Sequence, residues 1–213
     1  MPRVDLKRGE PKKHVARALK EIRDGYVIVA PAEHGYVFIA DAFSHFAVRA
    51  LHILRGDDDG VAAQVFVHSP DAVEGIAREI PQEARELMKN FWPGLLSLNI
   101  KPNRSLTWDL GDDQKLDLFS VRAPKSNFLR ALLKVSGPLA VASAAPAGAK
   151  PLRALSRSAI DEWNIAVAFD KGALRPGPQS SVVEISNSGL RLVREGAISH
   201  AQLLDVVPSI SVS

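Results

Sequence analysis

Val15, Leu19 and Ile22 recur at helical spacing behind Pro11, which suits a first helical turn, and Gly25 closes the run, so Pro11–Asp24 predicts an amphipathic helix. Tyr26–Ala30 is a short continuous apolar run that reads as a buried strand ending at Pro31. Ser44 is placed to cap a second helix with Ala47, Leu51 and Leu54 inward and Gly56 at its end. Ala63–His68 reads as a strand, Ser69-Pro70 opens a third helix, and Pro81 opens a fourth that reaches Asn90. Leu95–Ile100, Phe119–Arg122, Leu139–Ala142 and Ile165–Phe169 read as strands. A helix capped by Ser126 runs through Val135 to Gly137, and Ile160 and Trp163 suggest a short one. Ser181–Ile185 and Leu190–Val193 form a predicted hairpin, followed by a short helix from about His200 to Val206.

The elements alternate, with hairpins and irregular loops between them. This predicts one mixed α/β domain with a twisted, partly parallel and partly antiparallel sheet flanked by helices. No linker or repeat divides residues 1–213, and a short tail follows a core of about 12–198.

Composition narrows the classes. Hydrophobic residues make up 46% and charged residues 24% of the 213, as in an ordinary globular chain. Cysteine is absent, which excludes disulfides, thiolate catalysis and sulfur-ligated zinc. No apolar run approaches the ~20 residues of a membrane span, and the N-terminus lacks the apolar stretch of a secretory signal, so a cytoplasmic location is expected. The net charge of +3 is concentrated early: residues 1–24 hold eight Lys or Arg against four Asp or Glu, which fits a solvated helix face and a polyanion surface alike. No Walker loop, dinucleotide fingerprint or Ser-His-Asp order stands out, and Asp57-Asp58-Asp59-Gly60 lacks both ends of a calcium loop. Arg55-Gly56-Asp57 matches an adhesion tripeptide by chance.

Chemistry-bearing residues collect in loops that follow strands: Pro31–Phe38, Phe91–Leu98, Val121–Pro124, Ser143–Gly148, Gly177–Val183 and Arg194–Ala197. Strand ends of an α/β sheet are where ligands gather, and Gly and Pro let backbone N–H groups approach a phosphate. Their order resembles the YrdC family, whose signatures run PTxTxYGL, KxRP, FWPGPLT, RxP, SANxSG, Gly-x-x-Ser-Thr and LRxGA. Phe91-Trp92-Pro93-Gly94, Arg122-Ala123-Pro124 and Arg194-Glu195-Gly196-Ala197 match best, and the resemblance spans roughly residues 12–198. It implies a YrdC-type domain in short form, related to formation of threonylcarbamoyl-AMP from ATP, bicarbonate and threonine for a modified adenosine of tRNA. It further implies a cleft for nucleotide or for double-stranded RNA, ATP with magnesium as substrate, and no tightly bound cofactor.

Carried over position by position, the resemblance implies nucleotide or substrate contacts at His34, Tyr36, Arg55, Ser97, Arg122, Ser143, Ser180 and Arg194. The departures are Ala32 and His34 for two Thr, Arg55 for Lys, Asp57 for Arg, Ser97 for Thr, Ala145 for Asn and Ser181 for Thr. Asp57 reverses a charge that faced phosphate; at ~5 Å and an effective dielectric of ~20 the swing is about 6 kcal/mol against the anion. A magnesium ion held by Asp57 and Asp59 would offset it. Three functions stay open: a nucleotide- or RNA-binding paralogue without full catalysis, an active synthase with a rebuilt pocket, and a ligand-free paralogue acting through protein partners.

Overall fold

Strict alternation along two neighbouring strands sets the layers of the computed structural model, which describes residues 2–115, 117–156, 163 and 165–212. In β2 (Ile28–Pro31) and β3 (Tyr36–Asp41), Ile28, Ala30 and Ile39 enter one apolar cluster, while Val29, Tyr36, Phe38 and Ala40 enter another on the opposite face. Successive side chains point to opposite faces, so a strand buried on both sides must be apolar throughout.

The first cluster is covered by α1 (Pro11–Arg23) and α5 (Asn127–Ser136), through Ala18, Ile22, Leu129, Leu132 and Leu133. The second is covered by α2 (His45–Arg55) and α4 (Gln82–Phe91), through Ala47, Val48, Leu51, Ala84, Leu87 and Met88. Short helices α3 (Asp71–Glu74) and α6 (His200–Leu204) complete that side with Val73 and Leu203.

The remaining strands are β1 (Arg3–Asp5), β4 (Gln64–Phe66), β5 (Leu96–Ile100), β6 (Phe119–Arg122), β7 (Leu139–Ser143), β8 (Val167–Asp170), β9 (Ser181–Ser186), β10 (Gly189–Arg194) and β11 (Ser211–Val212). Among the described residues they form one sheet of eleven strands in the order β1-β8-β2-β3-β7-β4-β6-β5-β9-β10-β11. Parallel pairs (β2 with β8, β4 with β6, β5 with β9) are mixed with antiparallel ones (β2 with β3, β3 with β7, β5 with β6), the expected mixed sheet flanked by helices.

Several predicted ends hold. Ser44 accepts a hydrogen bond from the Ala47 amide, and Gly56 at φ 69° closes α2 in the left-handed conformation that suits glycine. Others differ. Pro31–Phe38 is not a single loop: Pro31 ends β2, Tyr36 begins β3, and the turn between is only Ala32–Gly35. Ser126 precedes α5 without capping it, because its hydroxyl donates to the Pro31 carbonyl at 3.1 Å and ties the helix to that turn. The expected helix near Ile160 falls outside the described residues, although Trp163 packs edge-on against Phe38.

Candidate functional site

The starts of β3 and β4 lie beside the end of the antiparallel β7, with β6 next to β4, and together with nearby loops they line a cleft of about 580 Å³. Val37, Ser143, Gln64 and Arg122 line it from the strands, Arg55 from the end of α2, and His34, Gly148, Gly177 and Ser180 from loops. The loop segments are built by local constraints. At Gly94 a Cβ would sit 2.3 Å from the Phe91 carbonyl oxygen, and at Gly196 one would sit 2.4 Å from that of Gln179, so neither turn admits another residue unshifted. The Trp92 indole donates to the Leu96 carbonyl at 2.7 Å, which fixes the turn leading into β5.

Arg122 is the best-ordered cation of the cleft. Its side chain is 7% exposed, its Nη1 lies 3.0 Å from Glu33 Oε2, and its guanidinium sits 4.6 Å above the Phe66 ring. The other Glu33 oxygen accepts from the Lys125 amide at 2.7 Å, so the carboxylate is held from two sides. Arg55 lies across the cleft at the C-terminal end of α2 and anchors a second loop, since its carbonyl accepts from the Ala147 amide at 3.2 Å. The Nε atoms of both Arg55 and Arg122 are buried without a hydrogen-bond partner. Arg55 Nε instead lies 3.4 Å from Asp57 Oδ1, an ion pair without a hydrogen bond.

A polar ladder runs along the floor. Gln64 Nε2 donates to Ser97 Oγ at 3.0 Å and to Ser120 Oγ at 2.9 Å, and Ser97 donates to Ser180 Oγ at 3.1 Å. Arg194 closes it, donating through Nε and Nη2 to the Ser180 carbonyl at 3.1 and 2.9 Å. Behind it, the buried Ser181 hydroxyl donates to the Ile198 carbonyl at 2.6 Å and accepts from the Gly196 and Ile198 amides at 2.9 and 3.0 Å.

Of the residues singled out by sequence, His34, Tyr36, Arg55, Arg122, Ser143, Ser180 and Arg194 come together on the cleft. His34 leans on the far rim, with Nδ1 3.1 Å from the Arg175 carbonyl and its ring where a Cβ of Gly177 would fall. One placement differs from expectation. Ser97 is fully buried beneath Ser180 and reaches the cleft only through the ladder. Tyr36 lines the cleft from the start of β3 but has no exposed surface, and its hydroxyl donates to Asp170 Oδ1 at 2.6 Å. Burial and the Asp170 hydrogen bond push its phenol well above its ordinary value.

The expected magnesium pair is corrected. Asp57 is turned inward, 2.8 Å from His52 Nδ1 with 3% of its side chain exposed, while Asp59 is exposed. Among the described residues no group of three His, Asp or Glu is arranged to hold a metal ion. Glu33, Gln64, Ser120 and His52 were not singled out by sequence. Gln64 carries a faint signal, a polar residue opening an apolar strand.

This layered α/β architecture, with a mixed sheet flanked by helices and an open cleft beside its central strands, is the fold the motif order implied. The Sua5/YciO/YrdC family model, described as "Telomere recombination", matches residues 20–196, and the chain belongs to this family. The Mycobacterium tuberculosis protein named "Putative threonylcarbamoyl-AMP synthase" is 33% identical over 195 residues, covering 91% of this chain and 88% of its own. The Pyrococcus abyssi Sua5 structure complexed with L-threonine superposes with a TM-score of 0.86 at 26% identity, covering all of this chain. This chain spans only 62% of that protein's length. Escherichia coli YciO shares the fold, with a TM-score of 0.80 at 20% identity over 95% of this chain and 98% of its own. No helix among the described residues is long and apolar enough to cross a membrane.

Proposed function

We propose that the cleft binds ATP, with its phosphates between Arg55 and Arg122, and that the chain forms threonylcarbamoyl-AMP for tRNA threonylcarbamoyladenosine synthesis. The observation that carries this is the convergence of Arg55, Arg122 and Arg194 on one open cleft. Phosphate oxygens are acceptors that such guanidinium groups suit, because Arg can hold them in a planar fork. Forming an acyl-adenylate joins a carbamate oxygen to the α-phosphate as pyrophosphate leaves, so the protein has to position the reactants and neutralise phosphate charge. The names of the relatives, and the threonine bound in one of them, support the same substrates.

Magnesium enters this reading with ATP, coordinated by phosphate oxygens, not through a protein carboxylate pair. A ligand-free role through protein partners is disfavoured, because the cleft is open and lined by Arg55, Arg122, Arg194 and the serine ladder. Binding without turnover keeps one specific support: Ala32 lines the cleft where the family pattern has a hydroxyl. Double-stranded RNA or tRNA is a second ligand we assign to the exposed Lys12, Arg17 and Arg23 of α1. RNA affinity there should fall steeply with salt.

The deciding experiment is calorimetric titration with ATP and magnesium, with and without threonine, followed by pyrophosphate release with bicarbonate. The expected result is ATP binding strengthened by threonine, then threonine-dependent pyrophosphate. Binding without pyrophosphate would reduce the function to nucleotide recognition, and no heat with either ligand would end the nucleotide reading.

A further inference from the structure

The chain carries Asp57 where the family pattern has an arginine, beside a cation of the cleft. Gly56 makes the left-handed turn that ends α2 and folds the following residue back over the last helical turn, where the Asp57 amide donates to the His52 carbonyl at 3.2 Å. The side chains then meet: His52 Nδ1 lies 2.8 Å from Asp57 Oδ2, with 12% and 3% of the two side chains exposed. The other ring nitrogen, Nε2, lies 2.8 Å from the Leu110 carbonyl. At Gly111 a Cβ would fall 2.3 Å from His52 Nε2, so this segment is bare where the ring comes in.

Both imidazole nitrogens thus face acceptors. A neutral ring has a single N–H and would point a lone pair at one of those oxygens; the doubly protonated ring donates to both. Of the other charged groups around it, His45 pairs with Asp109 at 3.4 Å and Asp113 with Lys115 at 2.7 Å, leaving Arg49, Asp58 and Asp59 on the same pocket. The remaining Asp57 oxygen is 3.4 Å from Arg55 Nε, which makes no hydrogen bond. Arg55 is thus ion-paired with Asp57 at that distance, without a hydrogen bond between them, while His52 makes the shorter contact to the same carboxylate.

We propose that His52 is a positioning residue that acts as the counter-ion of Asp57 and leaves the charge of Arg55 for an anion in the cleft. The inference rests on the nucleotide reading above and explains how that cleft tolerates a carboxylate in place of a guanidinium. His52, Asp57 and Arg55 form a line from the 108–115 segment to the cleft, and the balance of the line depends on the imidazole carrying charge.

Three variants test it by ATP titration. His52→Gln keeps a donor but removes the charge; ATP binding is expected to weaken by about tenfold. Asp57→Asn alone is expected to tighten it, whereas an aspartate serving only the fold would weaken binding when replaced. The double variant is expected to return within about threefold of the wild type, because His52 has nothing left to neutralise. Unchanged binding in His52→Gln, while Arg55→Ala loses it, would overturn the proposal. If Arg55→Ala binds ATP as the wild type does, the nucleotide reading fails at Arg55, and the structure of His52→Gln then decides. Arg55 closing onto Asp57 as a two-point pair supports the charge balance, and an unaltered 3.4 Å separation overturns it.

Discussion

Glu33 and Arg122 face each other across the wall of the cleft at 3.0 Å, with 11% and 7% of their side chains exposed. One comes from the turn between β2 and β3 and the other from the end of β6, so the pair joins two separate parts of the sheet as well as two charges. Removing one partner of a buried pair strands the other. Glu33→Ala is therefore expected to lower stability by about 3 kcal/mol, read by urea unfolding, and to leave Arg122 free for an anion. Arg122→Met, which removes the stranded charge and fills its space, should restore much of the stability in the double variant.

Ser181 is the second position where a small side chain carries a large share of the structure. Its hydroxyl makes three hydrogen bonds that pin the 196–198 turn to β9. Ser181→Ala leaves two amides and a carbonyl unpaired, and should cost about 3 kcal/mol. Ser181→Thr keeps the hydroxyl and should cost less, so comparing the two by thermal unfolding separates the lost bonds from added bulk.

Asp170 sets an acid limit on stability. Burial pushes its carboxyl up, but hydrogen bonds from Tyr36, the Gly172 amide and Arg3, together with the Arg3 charge, outweigh this and hold it below the ordinary 3.8. A depressed folded value means stability that is present above the ordinary carboxylate range and lost as pH falls through the lowered one. Tyr36→Phe removes one of these bonds and moves the folded value back up. The difference in stability between about pH 5 and about pH 3 should shrink in this variant, while stability at neutral pH falls by about 1 kcal/mol.

At the far rim, His34 occupies the space that a side chain at Gly177 would need, with a Cβ landing 2.3 Å from the ring. Gly177→Ala should displace the imidazole from the Arg175 carbonyl and lower the melting temperature. His34→Ala/Gly177→Ala should recover the part due to the collision.

Much of the scaffold was legible in sequence because period and punctuation agreed there: Pro11 and Gly25 around α1, Ser44 and Gly56 around α2, and the β9–β10 hairpin. β3 escaped because Glu33, His34 and Gly35 give its start the look of a loop, and the run after it has no polar partner face to alternate with. The cleft was legible as a set of loops, but not as an arrangement. Ser97 and Ser180 are far apart in sequence, and nothing in either segment says that one lies beneath the other. Asp57 misled in the opposite direction. The resemblance implies a charge reversal at that position, whereas the His52 that meets it lies on the preceding helix and is itself held by a carbonyl beyond residue 100.

The strand order has a consequence for biosynthesis. β3, β7, β4 and β6 are neighbours although β7 is made long after β3, and β5 is partnered by β9, which is made later still. The ladder under the cleft is complete only when Ser180 and Arg194 reach Ser97. A chain emerging from the ribosome therefore carries Arg55 and Arg122 before the floor beneath the cleft has been made. Contacts of such long separation form late and slowly. The floor is thus complete only once β9 and β10 have been made and docked, and under the proposed reading partly translated copies would not hold nucleotide.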